Sequence, residues 1–136
     1  MYKRQVKYFV RYYQERVFTN ATIGNLQVSN CIFSNVDNRE KGKIIMVKDI
    51  ANINIKNSVF EKSINTQHII HLSGPKNKIT NCLVSGTGKI KTDKGALQKR
   101  IFFKNPKWEN SKEFIPSEKS ILLKENNKSE TIGLIR

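Results

Sequence analysis

Apolar residues in the first two thirds of the chain come in short alternating runs. Leu26-x-Val28 is followed by Cys31-x-Phe33, Ile53-x-Ile55 by Ser58-x-Phe60, and Ile79 by Cys82-x-Val84. The spacing is two residues, not 3.6, and many members are β-branched, which predicts short β-strands. A single Asn separates the members of each pair: Asn30, Asn57 and Asn81. Asn enters the left-handed backbone region at modest cost, so each is predicted to turn the chain sharply without glycine.

The pattern recurs. The three Asn lie 27 and 24 residues apart, and "KIIMVKD" at 43–49 is matched by "HIIHLSG" at 68–74. A period of 20 to 50 residues marks an array of stacked units, none of which buries its apolar face alone. Like residues then fall over one another: Val28 on Ile55 on Ile79, and Phe33 on Phe60 on Val84. An antiparallel sandwich also contains many short strands, but it does not require one residue type at one phase. Residues 6–16, "VKYFVRYYQER", fit either a helical face or an alternating strand. Extended structure is favoured there, with Tyr8, Tyr12, Tyr13 and Arg11 as wall and core residues or, less favoured, as a group that stacks on sugar or base rings.

Strand, one-residue bend, strand, loop, strand, loop, at a period near 25, resembles the right-handed parallel β-helix of pectin-lyase-like proteins. The resemblance implies an all-β fold, a solenoid of about three to four coils over residues 6–92. Asn30, Asn57 and Asn81 would form the stacked asparagine ladder. Residues 93–136 lose the repeat and resemble the closing tail of bacterial β-helix proteins, through Asn105-Pro106-Lys107-Trp108, Phe114-Ile115-Pro116, Ser120-Ile121-Leu122-Leu123 and Ile132-Gly133. Such a tail would cover the apolar end of the last coil, with Trp108, Phe114 and Leu122 as the cover and 125–130 as a polar loop. Cys31 and Cys82 share a phase two coils apart, so their Cα atoms should be about 9–10 Å apart. A disulfide needs them within about 7 Å, so two reduced, inward thiols are expected.

Charge changes the picture only modestly. The 136 residues carry a net +14, but 19 of the 25 basic residues are Lys, spread along the chain. Specific phosphate and carboxylate sites favour the planar fork of Arg. A solvated basic surface is the plain reading, an acidic polysaccharide is the favoured partner, and nucleic acid is the least favoured. No apolar run approaches the roughly 18 residues of a membrane span. The opening "MYKRQ" (residues 1–5) resembles the translation of a transposase end used in sequencing-library preparation. Setting it aside leaves +12 and makes the chain a piece of a longer metagenomic sequence.

Pectin-lyase-like proteins include polysaccharide lyases, hydrolases and catalytically silent binders, and fold alone does not choose among them. With Ile45, Val47, Ile70 and Leu72 inward, Met46, Lys48, His71 and Ser73 face outward. β-Elimination from a uronate needs a base, a cation for the developing enolate and an acid for the leaving oxygen. Lys48 or His71 are the candidate bases, and Lys43 or Arg39 the candidate charges for substrate. Each is more often a plain surface residue. The carboxylates Asp37, Glu40, Asp49, Glu61 and Asp93 offer no paired outward set of the kind a glycosidase needs. His68 and His71 lack further ligands at zinc spacing, so no metal is expected. No cofactor is expected in this chain, and the resemblance leaves calcium open for the parent. The expectation is the C-terminal part of a secreted or cell-surface β-helix protein that binds or cleaves acidic polysaccharide. Its parent would be lyase-like, with catalytic residues upstream, which leaves enzymatic activity of this chain open. A non-catalytic glycan-binding or adhesion protein is the alternative, and a nucleic-acid-binding solenoid is a third.

Overall fold

The computed structural model describes residues 8–13, 25–36, 43–48, 52–63, 68–123 and 132–133. These residues are all-β, with parallel sheets and no α-helix among them. The chain returns repeatedly to three strand positions. At the first lie β1 (Tyr8–Tyr13), β4 (Lys43–Lys48), β7 (His68–Ser73) and β9 (Lys89–Asp93), paired in that order. The second position holds β2 (Asn25–Ser29), β5 (Asn52–Lys56) and the front of β8 (Lys78–Ser85); the third holds β3 (Ile32–Ser34), β6 (Val59–Glu61) and the rear of β8. All these pairings are parallel, which demands a crossover of a dozen or more residues between neighbours. The repeat spacing supplies that crossover.

Register lays like on like. Val28 pairs with Ile55 and Ile55 with Ile79, while Phe33 pairs with Phe60 and Phe60 with Val84. The Phe33 and Phe60 rings stack with centroids 5.0 Å apart and planes 2° from parallel. Such a pair adds about 0.5–1.5 kcal/mol beyond its area. Inward Ile45, Val47, Ile70 and Leu72 complete the core and are wholly buried.

Asn30, Asn57 and Asn81 turn the chain at φ 53°, 54° and 53°. Asn81 Nδ2 donates to Asn57 Oδ1 at 2.9 Å, within a buried site. Asn30 Nδ2 instead donates to the carbonyl of Gly133, whose own N–H donates to the Asn57 carbonyl. A second left-handed row, Asn35, Lys62 and Gly86, follows the third strand position at φ 57°, 54° and 58°.

Parallel pairing continues past residue 92. β9 crosses that position, and β10 (Leu97–Phe102) lies along β8 with Ile101 opposite Cys82 and Phe102 opposite Leu83. Arg100, just before Ile101, repeats the left-handed turn of the Asn row at φ 58°. The resemblance put Trp108, Phe114 and Leu122 over the end of the last coil; the structure puts them along its flank. Leu122 and Ile132 pack on Val59 and Leu83, with Ile32, Phe102, Trp108 and Ile121 around them. These partners come from successive rows, and they are the outward neighbours of the inward Phe33–Phe60–Val84 row. The third strand position is therefore buried on both faces, as parallel sheets tend to be.

Besides the Gly133 contacts, further polar ties hold this tail. Trp108 Nε1 donates to Glu61 Oε1 at 2.6 Å, and Ser34 Oγ donates to Glu61 Oε2 at 2.6 Å. The Ser120 hydroxyl donates to the Pro106 carbonyl and accepts the Leu122 N–H. Phe114 meets Trp108 edge-on at 5.4 Å. β11 (Trp108–Asn110) and β12 (Ile115–Pro116) pair antiparallel, and a 3-10 turn spans Ile121–Leu123. The expected polar loop at 125–130 and the segment 1–5 lie outside the described residues. Cys31 and Cys82 are both free thiols. No helix among the described residues is long and apolar enough to cross a membrane.

Candidate functional site

The outward face of the sheet β1-β4-β7-β9 carries His71 and Lys43, two of the four candidate residues named from the sequence. Alternation sends Ile45, Val47, Ile70, Leu72 and Ile90 to the core and turns Met46, His71 and Lys91 outward, and these three lie in register. His68 stands opposite Lys89, and Ser73 opposite Asp93. The register shifts between His68 and Ile70 along β9, so Ile69 is an extra residue on its strand.

His71 Nε2 lies 3.1 Å from Asp93 Oδ2. Asp93 sits two places along the neighbouring strand from the residue facing His71, a diagonal contact within reach of long side chains. Ser73 and His71 both hydrogen-bond to the Asp93 carboxylate and hold its pKa below the ordinary carboxylate value, aided by nearby Lys91 and opposed by desolvation. An ionised carboxylate only accepts, so the hydrogen on this contact belongs to Nε2 of His71. In the neutral ring the proton-accepting nitrogen is then Nδ1. The His71 side chain is only 13% exposed.

His68 records the field of this face. Its pKa is lowered first by desolvation, then by the charges of Lys43 and Lys91, with smaller contributions from His71 and Lys89. Lys89 and Lys91 are exposed and Lys43 is half-buried. The structure thus brings Lys43, His68, His71, Lys89, Lys91 and Asp93 onto one sheet face. Lys48 ends β4, but its side chain lies outside the described residues, as does the whole of Arg39. The tyrosines and arginine of β1 are placed only as backbone, with Arg11 opposite Met46 and Tyr13 opposite Lys48.

Asp93, Lys89 and Lys91 were missed as site residues. "KIKTD" places Ile90 and Thr92 in phase with Ile70 and Leu72, which could have identified a further strand at the first position. The inserted Ile69 obscures the alignment by one residue. No cluster of three or more His, Cys, Asp or Glu suited to a metal ion occurs among the described residues. Compared with known proteins, the chain matches no family model, no curated protein and no solved structure.

Proposed function

We propose that the recurring rows form a right-handed parallel β-helix whose first-strand face binds an acidic polysaccharide. Handedness is supported by the general rule that crossovers between parallel strands are right-handed in about 98% of cases. The observation that carries the binding reading is the clustering of Lys43, Lys89 and Lys91 around His68, whose pKa is lowered first by desolvation and further by these charges. Rows about 4.8 Å apart present these charges as a regular strip, suited to a linear polyanion rather than a single ion.

On this reading the chain is part of a secreted, lyase-like β-helix protein and contributes substrate binding. A non-catalytic adhesion protein is the second reading. It is favoured by the burial of His71, whose side chain is only 13% exposed. A general base has to reach the proton it removes.

Affinity electrophoresis through polygalacturonate, alginate and neutral dextran tests the proposal. Retardation by the uronates, weakened by salt and by the Lys89→Gln/Lys91→Gln double substitution, is expected. Equal retardation by dextran, or stronger salt-dependent binding to DNA, refutes it. Absorbance of unsaturated uronate ends separates the lyase from the adhesion reading.

A further inference from the structure

Beyond the sheet face, the described residues also form an open groove. It measures about 320 Å³ and is lined by Val84, Ser85, Gly86, Thr87, Phe103, Lys104 and Asn105. Its origin lies in the second left-handed row. Asn35 and Lys62 carry side chains at this turn, and Gly86 carries none, although all three share nearly the same φ. A Cβ placed on Gly86 would meet nothing within 4 Å. The missing side chain leaves the groove.

The lining is chemically mixed in a particular way. Phe103 is 60% exposed and lines one side of the groove. Lys104 brings a cation beside it. Asn105 Oδ1 accepts the Lys107 N–H, which leaves its Nδ2 as a donor toward a ligand. Thr87 Oγ1 donates to the Ser63 carbonyl and keeps its lone pairs as acceptors. A flat apolar wall, one cation and neutral donors and acceptors match a sugar ring bearing a carboxylate. In such a fit the ring's apolar face would lie on Phe103, its carboxylate would meet Lys104, and its hydroxyls would meet Asn105 and Thr87. Only Thr87 and Gly88 separate Gly86 from Lys89, a span of at most about 11 Å. The groove therefore opens at the end of the basic sheet face.

We propose that this groove is a uronate subsite, holding one ring of the polyanion that lies on the sheet face. The inference rests on the polysaccharide reading above and names where that ligand gains ring-by-ring specificity rather than charge alone. Neutral sugars of the same stereochemistry should stack on Phe103 but lack the Lys104 contact.

Trigalacturonate and its neutral galactose counterpart, titrated calorimetrically into the full chain, test it. Gly86→Asn fills the groove at modest backbone cost, because Asn tolerates the left-handed region and Asn35 holds nearly the same φ in the same row. Gly86→Asn and Phe103→Ala are each expected to weaken trigalacturonate binding about tenfold while the chain still unfolds cooperatively at a melting temperature lowered by a few degrees at most. Lys104→Gln should reduce the preference for trigalacturonate over the neutral trisaccharide. If Gly86→Asn binds trigalacturonate as the unaltered chain does while Lys89→Gln/Lys91→Gln does not, the groove inference falls and the sheet-face reading stands. If the unaltered chain binds neither trigalacturonate nor polygalacturonate, both fall.

Discussion

Asn57 gives the sharpest test of how the turn row works. Its φ is 54° and it is 7% exposed, and its Oδ1 accepts Asn81 Nδ2 at 2.9 Å. Asn57→Ala imposes two separable costs. A residue with a Cβ but no local polar compensation pays about 1–2 kcal/mol in the left-handed region. Removing a buried acceptor from the Asn81 amide costs a further ~1–2 kcal/mol. The expected loss is about 2–4 kcal/mol. Asn57→Gly removes the same acceptor but meets no left-handed penalty, and its extra unfolded-state entropy costs about 0.5–1 kcal/mol. Gly should therefore be the milder substitution, by about 1 kcal/mol. Lys62, at φ 54° and exposed, is the converse case. Lys62→Asn should stabilise by a few tenths to about 1 kcal/mol, since Asn tolerates that conformation better than Lys. Urea unfolding followed by circular dichroism, with m unchanged, measures all three. If Asn57→Ala proves no worse than Asn57→Gly, or Lys62→Asn destabilises, the left-handed turns are not what fixes this corner.

Three further outcomes follow from Glu61, Cys82 and His68. Glu61→Ala strips Trp108 of its 2.6 Å acceptor, and Trp108 is the sole tryptophan, so its emission should shift to the red and the tail should become sensitive to protease; an unchanged spectrum would mean that the indole is not docked there. The Cys82 thiol, pushed up to about 12 by burial, should resist Ellman's reagent at pH 8 in the folded chain and react once urea is added. His68 has its pKa lowered from 6.5, so below that pH the unfolded chain takes up a proton that the folded chain resists, and stability falls as pH falls. His68→Gln should flatten the melting-temperature profile in that window, while the loss at more acid pH, as Asp93 protonates, should persist.

The rows that could be read from the sequence are those that repeat residue type. Val28, Ile55 and Ile79 share one phase, and Asn is the side chain that best tolerates the turn between the strands. The other left-handed row was hidden because Asn35, Lys62 and Gly86 have nothing in common but their φ. Arg100 shows the same thing more strongly: backbone pairing with β8 imposes a conformation that its side chain does not favour. β10 was invisible as a strand because the outer half of "LQKRIF" is exposed and does not alternate. The flank position of the tail did leave a trace. Ile32-Phe33, Val59-Phe60 and Leu83-Val84 are consecutive apolar pairs, and a strand apolar on both faces needs cover on both. At the site, His71 was legible as an outward residue, but its partner Asp93 was not, because the inserted Ile69 breaks the count along the neighbouring strand.

The flank-lying tail also limits how such a protein can evolve. Arrays of like units readily gain or lose a unit by duplication or deletion. Here Leu122, Ile132 and Trp108 grip side chains from several rungs at once. Inserting one more rung between Val59 and Leu83 would separate those holds by about 4.8 Å and leave the tail unable to reach them all. The segment acts as a ruler, and lineages that keep it should keep the number of rungs beneath it.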